Sequence, residues 1–152
     1  PVSKENLAIA KSWLASSDEY NLLVNGTAIT AFPVYYQNDL ALLLQSLRIV
    51  QAGTEVAEVK GKDLIPAHGL AMSRLLKTSV FSTEALTYEQ AIAYLRKEAI
   101  VLPPSVPKGY VLVTYKEIPL GFVKNIGNRA NNLYPQEWRI RSGYLPDDIR
   151  TL

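Results

Sequence analysis

Between Lys108 and Arg141 the chain carries six basic residues, Lys108, Lys116, Lys124, Arg129, Arg139 and Arg141, against two acidic ones, Glu117 and Glu137. Tyr110, Tyr115, Phe122, Tyr134 and Trp138 are interleaved with them. Cations neutralise phosphates and aromatic faces stack bases, so this mixture has the chemistry that an RNA contact needs. The stretch Asn125 to Asn132 adds side-chain amides, which can hydrogen-bond base edges, 2′-hydroxyls and phosphates. Candidate RNA-binding residues are therefore Lys108, Lys124, Asn125, Arg129, Asn131, Asn132, Tyr134, Arg139 and Arg141. If Trp138 to Arg141 is a strand, alternation sends Trp138 and Ile140 into the core and both arginines outward. A plain hairpin with an Asn/Gly turn and ordinary surface charge is the other reading of the same residues.

Catalytic chemistry fails on inventory. The 152 residues contain no cysteine, which excludes a thiol nucleophile, a disulfide scaffold and a Cys-ligated metal within them. The one histidine, His68, leaves no imidazole pair for zinc and has no G-x-S-x-G serine to serve, so it reads as structural. Gly121 and Gly127 frame a segment that does not fit G-x-G-x-x-G. The adjacent acids Asp147 and Asp148 read as solvated rather than as an acid and base pair. No catalytic residue, metal or cofactor site is expected in this chain.

Composition is that of a packed chain, 48% apolar and 20% charged. Residues 1–99 hold nine basic and ten acidic residues, whereas 100–152 hold seven and four, so an anionic partner is expected on the second half. The uncharged stretch Tyr20 to Asn38 contains Asn21, Asn25, Gly26, Pro33 and Gln37, which argues against a membrane span. The chain opens on Pro1 without a signal-like segment and reads as a piece of a longer, cytoplasmic polypeptide.

The elements that would position these residues can be read from periodicity and caps. Ser3 caps a helix to about Ser16 whose stripe is Leu7, Ala10 and Leu14, with Trp13 in the same core. Tyr20–Val24 and Thr27–Phe32 flank Asn25-Gly26 as a hairpin. A helix from Asn38 places Leu40, Leu43, Leu44 and Leu47 on one face, and 48–50 and 55–60 read as short strands. Pro66 suits the first turn of a helix carrying Ala67, Leu70, Ala71 and Leu75. Thr87 and Gln90 have capping-box spacing for another with Tyr88, Ala91, Ile92 and Leu95 on one side. Strands follow at 110–115, 120–124 and 138–141.

The segments His68-Gly69-Leu70-Ala71-Met72-Ser73, Tyr94-Leu95-Arg96, Lys108-Gly109-Tyr110-Val111-Leu112-Val113, Leu120-Gly121-Phe122-Val123-Lys124 and Asn131-Asn132-Leu133-Tyr134-Pro135 with Arg139 occur in a recognisable order. That order resembles the C-terminal region of bacterial RNA cytosine-5 methyltransferases of the Nol/Nop/Sun family over roughly residues 46–141. Arg48-Ile49 through Gly53 to Pro66 resembles the join between that family's first C-terminal module and its PUA-like module. The family often has a lysine immediately before its Asn-x-Tyr-Pro stretch, where this chain has Asn131.

The resemblance implies an α+β chain, with residues 1–62 a small mixed module and 63–152 a PUA-like β-barrel with flanking helices. It implies the RNA-binding, substrate-positioning part of a ribosomal RNA 5-methylcytosine methyltransferase. In that family a Rossmann-like domain elsewhere in the polypeptide binds S-adenosyl-L-methionine and uses a cysteine at C6 of cytosine. RNA and that catalytic domain are the implied partners, the cofactor is expected not to bind this fragment, and no membrane is expected. Two rivals are a structural module bracing the catalytic domain and a free-standing PUA-like RNA-binding protein. Basic residues converging on one face favour RNA binding, and an exposed apolar patch favours a brace.

Overall fold

A computed structural model describes residues 1–143, and the pair Asp147 and Asp148 lies outside the described residues. The chain is α+β, as expected, with two four-stranded sheets. The first is an antiparallel series of β1 (Tyr20–Asn25), β2 (Ala28–Pro33), β3 (Thr54–Lys60) and β4 (Asp63–Pro66). The second has the order β5 (Ser82–Ala85), β6 (Gly109–Tyr115), β7 (Ile118–Asn125) and β8 (Ala130–Asn132), with β5 parallel to β6 and the other pairs antiparallel.

Among the described residues four α-helices accompany the sheets. In α1 (Lys4–Ser12) Ser3 forms a capping box with Asn6, and in α4 (Tyr88–Leu95) Thr87 does so with Gln90. The others are α2 (Gln37–Ser46) and α3 (His68–Ala71). The first core joins Ala10, Trp13 and Leu14 to Ile29, Val56 and Ala57 of the first sheet, Leu70 of α3, and Leu112 and Phe122 of the second sheet. The second core joins Ala91 and Tyr94 of α4 to Val111, Val113, Val123 and Ala130. Alternation explains the division: Leu112 pairs with Phe122 on one face of the second sheet, Val111 with Val123 on the other. Both faces of β6 are covered, hence its near-continuous apolar sequence.

Several elements differ from expectation, each for a physical reason. The position between 62 and 63 falls in the turn joining β3 to β4, so the first sheet runs on to Pro66. Pro66 ends β4, which lies at a sheet edge where a missing N–H is tolerated, and the following helix is the single turn α3. Residues 48–50 form no strand, and Leu43, Leu44, Leu47 and Val50 are exposed, with only Leu40 of the α2 stripe buried. The strand expected at 138–141 is absent. Pro135 leads into a 3₁₀ turn, Gln136–Trp138, and the Ile140 N–H then donates to the Leu95 carbonyl at the end of α4, 2.9 Å away. Without a pleated ladder the alternation rule does not apply, and Trp138 is 60% exposed.

Candidate nucleic-acid interface

The end of α4 sets the geometry of the interface. Lys97 takes φ 67° just past the helix, its N–H donates to the Tyr94 carbonyl, and the Glu98 N–H donates back to Ala93, each at 2.9 Å. This is a Schellman termination with lysine in the left-handed position usually given to glycine. It sends Arg96 and Lys97 to different sites.

Arg96 joins Arg139 and Arg141 in lining a pocket of about 330 Å³, together with Glu98 and Ile140. Its Nη2 donates to the Ser142 carbonyl at 2.9 Å, and its Nε is buried without a partner. Three arginines against one glutamate give this lining a positive excess, which suits a phosphate. Arg96 lies within the recognisable Tyr94-Leu95-Arg96 segment, but charge counting over 108–141 leaves it out.

Lys97 lines a larger groove of about 870 Å³ between β3, β4 and α3 on one side and residues 133–138 on the other. The Lys97 ammonium donates to the carbonyls of Asn132 at 2.7 Å and Tyr134 at 2.5 Å. Burial pushes its pKa below the usual lysine value, opposed by Glu137. Across the groove, burial and the neighbouring Glu58 raise the pKa of Glu55. His68 sits edge-on to both Tyr134 (5.2 Å between centroids) and Trp138 (5.3 Å). Its Nδ1 is buried without a partner, and burial lowers its pKa below 6.5. Gly121, at φ 143°, leaves space where Tyr94 and His68 approach; a Cβ there would stand 3.0 Å from His68 Nδ1 and would overlap the Tyr94 hydroxyl.

The expected site residues separate into distinct groups. Arg139 and Arg141 are exposed and share the arginine pocket. Lys108 and Arg129 are exposed at the β7–β8 loop, where a Cβ on Gly127 would stand 2.9 Å from Lys108 Cε. Asn131 is exposed on β8 opposite Lys124. Lys124 is not a free cation: it pairs with Asp63 at 2.5 Å, lies 5.5 Å from the Tyr110 ring centroid, and has its pKa raised chiefly by the hydrogen bond to Asp63.

Two amides expected to read RNA are used internally. Asn125 is buried, donates to the carbonyls of Val106 and Pro107 at 3.1 Å, and accepts from the Gly127 N–H at 3.0 Å. Asn132 donates to the Tyr94 and Glu98 carbonyls and accepts from the Tyr134 N–H. Tyr134 forms part of the groove wall, against His68 and Tyr94.

The described residues do not fit S-adenosylmethionine. Antiparallel strands β3 and β4 line the groove, and β5, the strand paired in parallel, runs through Leu86 into α4 without a glycine turn that could approach a cofactor closely. Among the described residues no group of three or more His, Cys, Asp or Glu could hold a metal, and no helix is long and apolar enough to cross a membrane.

Residues 81–140 match the family described as the methyltransferase RsmF PUA domain. The chain is 28% identical over 138 residues to the ribosomal RNA small subunit methyltransferase F of Enterobacter sp. (strain 638), covering 91% of this chain and 27% of that protein. It is 30% identical over 114 residues to the protein of that name from Shigella boydii serotype 4 (strain Sb227), covering 75% of this chain and 22% of that protein. For the Shewanella piezotolerans protein of that name the values are 28% over 120 residues, 78% and 24%. The chain thus spans about a quarter of the length of the curated relatives it matches.

Proposed function

We propose, from a chain whose residues 81–140 match the family described as the methyltransferase RsmF PUA domain, that this polypeptide holds RNA for methylation. The observation that carries this reading is the convergence of Arg96, Arg139 and Arg141 on one pocket at the end of α4. Lys108 and Arg129 at the β7–β8 loop, with Asn131 on β8, supply a second exposed contact, and Tyr134 supports the groove wall between the sheets. The RNA is ribosomal, and the modification is transfer of a methyl group from S-adenosyl-L-methionine to C5 of a cytosine. That chemistry belongs to a catalytic domain of the same polypeptide in the cytoplasm. This chain's own residues bind and orient the substrate, and they divide into a first-sheet module and a PUA-like module.

Fluorescence anisotropy with a labelled single-stranded RNA tests the reading. Saturable binding that weakens as salt rises is expected. Absence of binding at low salt contradicts it.

A second reading is supported by exposed apolar residues at α2, Leu43 and Leu44 on the helix and Tyr35, Tyr36, Leu47 and Val50 in the chain on either side of it. An apolar surface of that kind is what a bracing contact with the catalytic domain requires. In that reading the chain braces the catalytic domain and RNA is held elsewhere.

A further inference from the structure

We infer that the groove between the two sheets receives one unpaired guanine base of a single-stranded RNA whose adjoining phosphate lies in the arginine pocket. The inference rests on the RNA-binding reading above and names what the neighbouring groove recognises.

Four observations converge on it. First, the groove and the arginine pocket share both boundary segments: Lys97 and Trp138 line the groove, while Arg96 and Arg139, the adjacent residues, line the pocket. The two sites therefore adjoin along both chain segments, and a strand held by its phosphate at the arginines passes beside the groove. Second, Trp138 is a large exposed aromatic at this junction, backed by the edge of the His68 ring, and a base has a face to stack on it. Third, a groove of about 870 Å³ has room for a nucleoside, and pockets of this size commonly hold small ligands.

The fourth observation concerns charge. Glu55, Glu58 and Glu137 line the groove against Lys60 and Lys97, and the Lys97 ammonium is already engaged by two carbonyls. Such a lining repels phosphate, so a base, not the backbone, fits it. The Glu55 carboxylate is half-buried beside Glu58, and among the described residues no hydrogen-bond donor reaches it. A carboxylate is an acceptor only, with two oxygens. Guanine alone among the four RNA bases presents two adjacent donors, N1–H and the 2-amino group, on its Watson–Crick edge. Adenine and cytosine place an acceptor beside their amino group, which would face the carboxylate unfavourably.

The chain supplies its own reporter, because it has two tryptophans and the other, Trp13, is buried in the first core. Titration with a uridine pentamer carrying central guanosine, a matched pentamer carrying inosine, and the all-uridine pentamer reads both affinity and tryptophan emission. Quenching of Trp138 by the guanosine oligomer is expected, with affinity about tenfold higher than for inosine, which lacks the 2-amino donor. Trp138→Ala should abolish the quenching, while Trp138→Phe should retain the guanosine preference. Glu55→Gln, which removes a like-charge contact and should fold, is expected to erase that preference.

Equal affinities for the three oligomers, or a preference that survives Glu55→Gln, overturn the inference and leave salt-dependent RNA binding intact. Loss of all RNA binding overturns both.

Discussion

The side-chain amide of Asn132 donates to the carbonyl of Tyr94 at 2.7 Å, which fastens β8 to the end of α4. It also donates to Glu98 at 2.9 Å, and its oxygen accepts from the Tyr134 N–H. The Tyr94 carbonyl already accepts the Lys97 N–H, so Asn132 adds a second donor to it and ties β8 to the helix end. It also carries the chain onward to the groove wall at Tyr134. Asn132→Ala is expected to destabilise the fold by about 2 kcal/mol in urea denaturation, because it removes three hydrogen bonds and leaves the part-buried Tyr134 N–H without its acceptor. An effect below about 0.5 kcal/mol would return this amide to the surface.

The two tryptophans should behave oppositely. Trp13 is 7% exposed and packs edge-on to Phe81 at 5.2 Å, so Trp13→Ala is expected to cost about 3–5 kcal/mol. Trp138, at 60% exposure, fills no core space, and Trp138→Ala should cost under about 1 kcal/mol. Paired denaturation curves check the contrast.

His68 makes stability depend on pH. Burial holds its folded pKa below 6.5, so on acidification the unfolded chain takes up the proton first. Its contribution is complete above about pH 6.5, and it is lost as pH falls from there through the folded pKa. Glu55, whose pKa is raised, acts in the opposite sense around its own range and is common to both proteins in the comparison. The difference in stability between wild type and His68→Gln, measured from pH 8 to pH 5, should be constant above about 7 and shrink below 6.5. A flat difference would place the imidazole in water.

What the sequence revealed depended on how local each signal is. Capping boxes at Ser3 and Thr87 are decided within four residues, and both formed. The first hairpin also formed, with Gly26 at φ 62° in its turn, and β6 declared itself through apolar residues on both faces. By contrast, β5 reads Ser-Thr-Glu-Ala, a short edge strand whose partner lies some thirty residues on, and nothing local marks it. The residues 138–141 alternate like a strand but bond to α4, a tertiary choice that put Trp138 at the surface. Charge counting found Arg139 and Arg141, but it could not reveal that the Ile140 N–H bonds the Leu95 carbonyl and so brings them to Arg96 at the end of α4. Nor could it distinguish amides facing solvent from Asn125 and Asn132, whose partners lie on distant segments.

The most direct test of the central claim is the salt dependence of RNA affinity in the double variant Arg139→Ala with Arg141→Ala. Each change should cost under about 0.5 kcal/mol in stability, since both side chains are exposed. Plotted as log K against log[salt], binding to single-stranded RNA is expected to lose about 0.7 of slope for each phosphate contact removed, and affinity at low salt should fall. An unchanged slope and affinity in the folded variant would take the arginine pocket out of the RNA interface.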